Sequence, residues 1–136
     1  MKVLIIILTT IMFTTSLFSA KYAVVISSKS NLEKLSTRQI RDIYLMKRNF
    51  VGNQKVLPLN VLASLPLREV FENNVIRMNR EKLNDYWIKK HFQGISPPIT
   101  QSSAKSIKLF IDNVDGAIGY VPLNIIDSSL KVLYEF

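Results

Sequence analysis

The sequence predicts an α/β fold in one domain, with a mixed, mostly parallel sheet flanked by helices. Short runs of β-branched and apolar residues, such as Tyr22–Ser27 (YAVVIS), are typical of buried strands. Between these runs lie segments with apolar residues spaced at i, i+3 and i+4, which indicate amphipathic helices. The elements follow the order β-α-β-α-α-α-β-β. Alternation of strands with helices favours a layered, partly parallel sheet.

The first half of the domain carries clear start and stop signals. Ser36, with Gln39 three residues later, forms a capping-box pattern at the start of the first helix. The Gly-Asn pair at 52–53 marks a turn, and Lys55–Val61 (KVLPLNV) is predicted as the second strand. Because Pro58 cannot donate a backbone hydrogen bond, it predicts an edge or an end of that strand.

The second half is predicted to contain three helices and two strands. Proline suits the first turn of a helix, serine and asparagine cap its start, and glycine stops it. The second helix starts at Pro66 and carries the apolar stripe Leu67, Val70, Phe71 and Val75. The third helix runs from Asn79 to Phe92, with Leu83 and Trp87 on its inner face. The fourth helix is capped by Ser102 or Ser103, and the last strands are Ala117–Val121 and Lys131–Tyr134.

Residues 1–20 are predicted to be a secretory signal peptide, which leaves residues 21–136 as the mature domain. Val3–Phe13 is almost wholly apolar, a lysine precedes it, and small, weakly polar residues follow. We expect cleavage after Ala20, with Ser16 as the alternative site. The alternative structure is an uncleaved membrane anchor, because the 18 uncharged residues before position 21 are just long enough to span a bilayer.

The composition of the chain limits the possible compartments and binding partners of the protein. The chain contains no cysteine, which excludes a lipoprotein anchor, disulfides and thiolate chemistry. Its formal net charge is +8 at pH 7. A basic chain often binds nucleic acid, but a periplasmic location argues against that partner. We therefore expect a small anion, anionic lipid head groups or an acidic surface of a membrane or periplasmic protein, and no nucleic acid.

Catalysis is not expected. His91, the only histidine, lies four residues after Trp87 and is predicted to be an edge-of-core residue rather than a base or a ligand. The sequence contains no metalloprotease, nucleophile-elbow, phosphate-loop or dinucleotide-binding motif, and its ten carboxylates are scattered. The sequence therefore predicts a protein that is not an enzyme and needs neither cofactor nor metal.

Hydroxyl groups near the predicted strand ends and helix starts are the candidate ligand groups. Ser28 follows the first strand, Ser64 precedes the second helix, and Ser102 precedes the fourth. In a parallel α/β sheet these points meet at one edge, where exposed N–H groups bind anions. The alternative is ordinary N-capping by Ser64 and Ser102. Arg68 either offers its guanidinium to the same anion or, at the surface, pairs with Glu72 four residues later.

Several segments together resemble the phosphate-binding proteins of ABC importers. Residues 35–45 (LSTRQIRDIYL) are similar to the L-S-x-x-Q-(I/L)-x-x-I-(F/Y) helix of that family. The segments VLPLN (56–60), REVF (68–71), YW (86–87) and GAIGYV (116–121) recur in the same order, and the last is the most specific. The resemblance extends over residues 22–122, nearly all of the mature domain.

The resemblance implies a single lobe of a periplasmic-binding-protein-like fold, a short stand-alone relative of the second lobe of those receptors. It also implies a periplasmic, substrate-binding-like protein for phosphate or another small anion, associated with ABC-type transport or sensing. Two departures matter. The receptors close two lobes over the ligand, and their Ser-Gly-Thr loop has no counterpart here, where only Ser64 and Arg68 offer substitutes. The alternative is a non-catalytic accessory protein that kept the fold and lost ligand binding.

Overall fold

The computed structural model describes residues 19–136. The predicted signal peptide covers residues 1–20, and all but its last two residues lie outside the described part, so export stays a prediction. Within residues 19–136, no helix combines the length and the apolar character that a membrane span needs.

Seven strands and four α-helices make up the described part of the chain. The strands are β1 (Tyr22–Ser27), β2 (Phe50–Val51), β3 (Gln54–Lys55), β4 (Leu57–Val61), β5 (Ile99–Gln101), β6 (Ala117–Pro122) and β7 (Leu130–Glu135). The helices are α1 (Thr37–Tyr44), α2 (Pro66–Phe71), α3 (Arg80–His91) and α4 (Ala104–Asn113). A π-helical turn, Glu72–Ile76, continues α2, and a 3-10 turn, Leu123–Ile125, follows β6.

Five of the strands form one sheet in the order β5-β4-β6-β1-β7. β4 pairs in parallel with β5 and β6, whereas β1 is antiparallel to both β6 and β7. Four strands of this sheet therefore point one way, and β1 points the other way. The predicted mixed, mostly parallel sheet is confirmed. β2 and β3 form a separate hairpin around the predicted Gly-Asn turn.

Helices cover both faces of the sheet because the chain reverses its direction of travel across the strands. From β4 it passes through α2 and α3 to the edge strand β5, and then returns through α4 to β6, beyond β4. Right-handed crossovers made in opposite directions place their helices on opposite faces. Neighbouring residues of β6 show the result: Gly119 faces Ile107 of α4, whereas the Tyr120 ring stacks on Phe71 of α2.

This reversal makes the boundary between β4 and β6 the topological switch point of the sheet. In open α/β sheets, ligands bind beyond the carboxyl ends of the strands at such a point. The fold itself therefore directs attention to the loops that follow β4, β5 and β6.

Many of the local predictions are confirmed. The Ser36 hydroxyl accepts the Gln39 N–H at 3.1 Å, and the Gln39 side chain accepts the Ser36 N–H at 2.9 Å, so the capping box at α1 is complete. α3 starts after its N-cap Asn79, as predicted. Pro58 is the second residue of β4 and precedes Leu59, where pairing with β5 begins, which fits its predicted place at a strand end.

Two local predictions are wrong, and one strand was missed. The stretch 55–61 is not one strand, because the β2–β3 hairpin takes its first residue and β4 begins at Leu57. β5 was not predicted, because a strand of three residues after two prolines has too little length for a periodic signal. Ser64 does not cap α2, whose N-cap is Leu65 and lacks any side-chain hydrogen bond.

Candidate functional site

The carboxyl ends of β4 and β5 lie side by side at one edge of the sheet. In the parallel register, Val61 at the end of β4 is the partner of Gln101 at the end of β5. The loops beyond them are joined, because the Leu62 N–H donates to the Gln101 carbonyl at 3.1 Å. β6 runs in the same direction and ends at this edge too. We call it the carboxyl edge.

Ser64 and Ser102 both lie at the carboxyl edge, and both are exposed. Ser64 follows β4 without capping α2. At α4 the cap is Ser103, which accepts the Ser106 N–H at 3.1 Å, while the Ser102 hydroxyl lies 3.1 Å from the Ser106 hydroxyl. The N-capping alternative is therefore wrong for Ser64 and for Ser102, and capping does not account for either hydroxyl.

Ser28 lies at the opposite edge of the sheet. Because β1 runs antiparallel to β6, its first residue, Tyr22, is the one that pairs with Pro122 at the carboxyl edge. The far end of β1 carries Ser28, whose N–H donates to the Ser129 carbonyl at 2.9 Å. The structure does not bring Ser28 together with the other candidate residues. The expectation failed because it assumed that β1 is parallel to its neighbours.

Arg68 is engaged inside the protein. Its Nε donates to Oε1 of Glu72 at 2.5 Å, and its Nη1 donates to the Val61 carbonyl at 2.7 Å. The two side chains are 16% and 5% exposed. The i, i+4 pair named as one alternative therefore forms, but it is largely buried rather than at the surface.

Arg80 completes an Arg68–Glu72–Arg80 cluster. Its Nε donates to Oε2 of Glu72 at 3.0 Å, and its Nη2 donates to the Ala63 carbonyl at 3.2 Å. Two guanidinium groups around one carboxylate leave the cluster with a formal charge of about +1, and Glu72, although buried, is fully paired. Together the two arginines hold the loop that follows β4.

Asn60 and Tyr120 form a second polar group at the ends of β4 and β6. The Tyr120 hydroxyl donates to Oδ1 of Asn60 at 2.8 Å and accepts the Val61 N–H at 3.3 Å. Burial raises the pKa of Tyr120 well above its ordinary value, because the phenolate would lose its hydration. The hydroxyl therefore keeps its proton and acts as a donor at neutral pH.

Tyr44 plays a similar part from α1. Its hydroxyl lies 3.0 Å from the Leu59 carbonyl and 3.3 Å from the Ile118 carbonyl, and burial raises its pKa as well. The ladder between β4 and β6 stops after Pro58 and Ile118. Beyond it, the hydroxyls of Tyr44 and Tyr120 bind backbone groups of the two strands.

A small cavity lies beside the Arg68–Glu72–Arg80 cluster. Asn60, Arg68 and Glu72 line it together with apolar side chains that include Leu83 and Trp87 of α3. Its volume of about 20 Å³ holds roughly one water molecule. A tetrahedral oxyanion is larger than this cavity, so the cavity itself is not an anion site.

The histidine and the carboxylates do not gather at one point of the part of the chain that the structure describes. His91 is exposed and not at the edge of the core as predicted. Between Ser19 and Phe136, no three histidine, aspartate or glutamate side chains come close enough to hold a metal ion. The arrangement at the carboxyl edge suits reversible binding of an anion, because it offers hydroxyls, backbone N–H groups and positive charge.

Sequence reasoning missed Asn60 and Arg80 as residues of this region, and it placed the pair of Arg68 with Glu72 at the surface instead of in the interior. Asn60 was visible as the single polar residue in an otherwise apolar strand, a sign of a buried partner. Glu72 borders the apolar stripe of α2, so its burial was partly readable. Arg80 starts α3, eight positions after Glu72, and no sequence pattern indicated the π-helical turn that lies between them.

Comparisons with known proteins agree with the predicted resemblance. No protein-family model matches the sequence, and no curated protein matches it. The fold is that of phosphate ABC transporter substrate-binding proteins. A phosphate-bound structure from Clostridium perfringens, assigned as such a protein, superimposes with a TM-score of 0.68 at 17% identity, over 84% of this chain and 44% of the other.

Two further structures give the same result. An ABC-type phosphate transport receptor from Vibrio cholerae has a TM-score of 0.68 at 18% identity, over 84% of this chain and 45% of the receptor. PstS from Borrelia burgdorferi has a TM-score of 0.63 at 14% identity, over 84% of this chain and 46% of PstS. The chain therefore spans a little under half the length of these proteins, which fits the predicted single lobe.

Proposed function

We propose that this chain is an exported, periplasmic substrate-binding-like protein that binds a small oxyanion, such as phosphate, at the carboxyl edge. The proposal is carried by the two joined loops after β4 and β5, where the Leu62 N–H donates to the Gln101 carbonyl. These loops carry the exposed Ser64 and Ser102, and the first of them is held by the positively charged Arg68–Glu72–Arg80 cluster. The fold shared with phosphate-binding proteins supports it. The function is binding without catalysis, and no cofactor is part of it.

The chemistry of the edge assigns a role to each group. Ser64 and Ser102 offer hydroxyl donors to the anion. Arg80 is 44% exposed and makes two hydrogen bonds, so it keeps further N–H donors for an anion. The first N–H groups of α4 have no acceptor within the helix and add to the positive potential.

The affinity is expected to be low for the chain alone. A ligand held on one exposed edge keeps part of its hydration and stays open to solvent, unlike a ligand enclosed between two lobes. We expect a dissociation constant on the order of a millimolar. A partner in ABC-type transport or sensing that covers the edge would strengthen the binding.

One observation favours a second function, that of an accessory protein that has lost ligand binding. The guanidinium of Arg68, which the sequence pattern indicated as a candidate anion ligand, donates instead to Glu72 and to the Val61 carbonyl. If the remaining donors do not suffice, the same fold serves only to contact another protein.

Isothermal titration calorimetry decides between the two. The protein is recovered from the periplasm of a bacterial expression host, where its mass also shows whether residues 1–20 have been removed. Phosphate, sulfate and acetate are titrated in turn. We expect heat with the oxyanions and about tenfold weaker binding for Ser64→Ala, Ser102→Ala and Arg80→Gln, because each removes a donor to a charged ligand.

Ser28→Ala is the matched control for these variants. Ser28 is an exposed serine like the other two, but it lies at the opposite edge, so its loss leaves the binding unchanged. No heat with any anion for the wild-type protein sinks the binding proposal and leaves the accessory function. Equal weakening by Ser28→Ala contradicts the assignment to the carboxyl edge.

A further inference from the structure

The C-terminal end of α3 presents an exposed apolar surface. Ile88 and Phe92, one helical turn apart, are 58% and 85% exposed. A shallow groove beside them is lined mostly by apolar and aromatic side chains, among them Trp87 and Pro97. Single exposed apolar residues are common on protein surfaces, but adjacent ones around a groove mark an interaction site. We call this surface the α3 tip.

The charge around the α3 tip is mostly positive, although the exposed Asp85 lies one turn before Ile88 on the same helix. Lys89, Lys90 and His91 lie in the last turn of α3. From Tyr86 to Gln101 the chain contains no aspartate or glutamate, and none of the residues that line the groove is acidic. The partner of this surface is therefore expected to be anionic as well as apolar.

The shape of the α3 tip favours a deformable partner. Phe92 follows the last residue of the helix, and the chain turns away at Gly94, which has φ +76°. A side chain that is 85% exposed protrudes, and a protein partner would need a pocket shaped to receive it. A lipid interface closes around such a side chain without a preformed pocket. Exposed apolar side chains with lysines beside them suit the boundary between anionic head groups and acyl chains, even where the helix as a whole is not amphipathic.

We propose that the α3 tip binds the surface of a membrane that contains anionic lipids. Phe92 and Ile88 enter the boundary between head groups and acyl chains, and the lysines of the last turn lie near the lipid phosphates. Phe92 is about 18 Å from Arg80 along the helix. This surface is therefore separate from the carboxyl edge, and the proposal does not rest on anion binding there.

The only tryptophan of the chain, Trp87, lies in this groove and reports on it directly. The full chain is mixed with vesicles of phosphatidylcholine alone or with about 30% phosphatidylglycerol, a fraction that gives a negative surface. Both carry brominated acyl chains, which quench tryptophan on contact. We expect a blue shift and quenching of Trp87 with the anionic vesicles, and a loss of both at high salt because screening weakens the attraction.

The variants Phe92→Ser and Ile88→Ser test the surface itself. We expect each to weaken the partition into anionic vesicles roughly tenfold, because each removes most of a buried apolar side chain. Leu109→Ser is the matched control. Leu109 is 56% exposed but belongs to α4, on the other face of the sheet, so its loss leaves the quenching of Trp87 unchanged.

Three outcomes overturn the proposal. The first is no quenching of Trp87 with anionic vesicles. The second is equal quenching in wild type and Phe92→Ser, which assigns membrane contact to the apolar N-terminal segment instead. The third is a concentration-dependent dimer in the absence of vesicles that Phe92→Ser abolishes, which makes a second copy of the chain the partner of this surface.

Discussion

The two faces of the sheet are covered in physically different ways. On the face of α4, Ile107 and Ile111 are fully buried, and Ile107 packs directly onto Gly119 because that residue has no side chain. On the face of α1, α2 and α3, aromatic rings form the contact, with Phe71 stacked on Tyr120 at 3.9 Å between ring centroids. The packing of α4 on the first face therefore depends on the fit between apolar side chains.

The second face also contains most of the buried polar groups of the described residues; Ser30, in the turn after β1, lies elsewhere. The hydroxyls of Tyr44 and Tyr120, the Asn60 side chain and the Arg68–Glu72–Arg80 cluster all lie on it or at its carboxyl end. Each of these groups needs its partner, because an unpaired polar group in the interior costs more free energy than the pair contributes. Stability and the proposed binding edge therefore depend on the same face, and the α4 face supports them from behind.

We call the face of α1, α2 and α3 the polar face. The largest expected effect comes from removal of the Glu72 carboxylate at its centre. Glu72→Ala leaves the largely buried guanidinium of Arg68 without its counter-charge. We expect the free energy of unfolding to fall by about 3–5 kcal/mol, as for other broken buried ion pairs. Urea unfolding followed by circular dichroism measures it.

Glu69→Ala is the matched control, because Glu69 belongs to the same helix but is exposed. Its loss is expected to change the free energy of unfolding by less than about 0.5 kcal/mol. If the two variants were equally stable, the cluster would add nothing to stability, and the contrast between the faces would be wrong.

The next effect is expected on the α4 face. A Cβ atom at Gly119 would lie 2.2 Å from Cγ2 of Ile107, so Gly119→Ala forces the helix away from the sheet. We expect a loss of about 2 kcal/mol in the free energy of unfolding. In an Ile107→Ala background the clash is removed, and the same glycine substitution should cost clearly less, which a double-mutant cycle measures.

Gly52→Ala separates packing from backbone strain. Gly52 has φ +57° and open space around its Cα, so alanine there costs about 1 kcal/mol through its left-handed conformation alone. Gly119 has no positive φ. A Gly119→Ala cost that Ile107→Ala does not reduce would contradict the packing account.

The same contrast explains which parts of the fold were readable from the sequence. The α4 face and the helix starts depend on residues a few positions apart, such as Ser36 with Gln39 and the spacing of Ile107 and Ile111. These local signals predicted α1, α3 and α4, and they predicted the α/β class. The GAIGYV segment added the family resemblance, which the fold comparison confirms.

The polar face depends on pairings that no local pattern encodes. The antiparallel direction of β1 is seen in its pairing with β6, where Tyr22 and Pro122 are partners although they are 100 positions apart in the sequence. Because of this direction, Ser28 lies at the opposite edge of the sheet. Glu72, the first residue of the π-helical turn after α2, pairs with Arg80 at the start of α3, eight positions later. Serine is a residue type that often caps helices, but the N-cap of α2 is Leu65, one residue after Ser64, and the helix begins at Pro66.

The smallest expected effect concerns the tyrosine hydroxyls between β4 and β6, and it depends on pH. Burial raises the pKa of both Tyr44 and Tyr120 above the ordinary 10.0. Below pH 10 the two tyrosines keep their hydroxyl protons in both the folded and the unfolded chain, and their contribution to the free energy of unfolding is fully present. Above pH 10 the unfolded chain releases its protons first, so the free energy of unfolding falls until the folded tyrosines ionise too.

Tyr120→Phe isolates this behaviour. At neutral pH it leaves Oδ1 of Asn60 and the Val61 N–H without their partner, and we expect a loss of about 1 kcal/mol. Between pH 10 and 11.5, a range chosen above the ordinary tyrosine value, the variant should lose stability less steeply than wild type, because one buried hydroxyl no longer titrates. Urea unfolding across this range measures both slopes. Identical slopes would show that the Tyr120 hydroxyl ionises alike in the folded and unfolded chain, and would contradict its place among the buried polar groups.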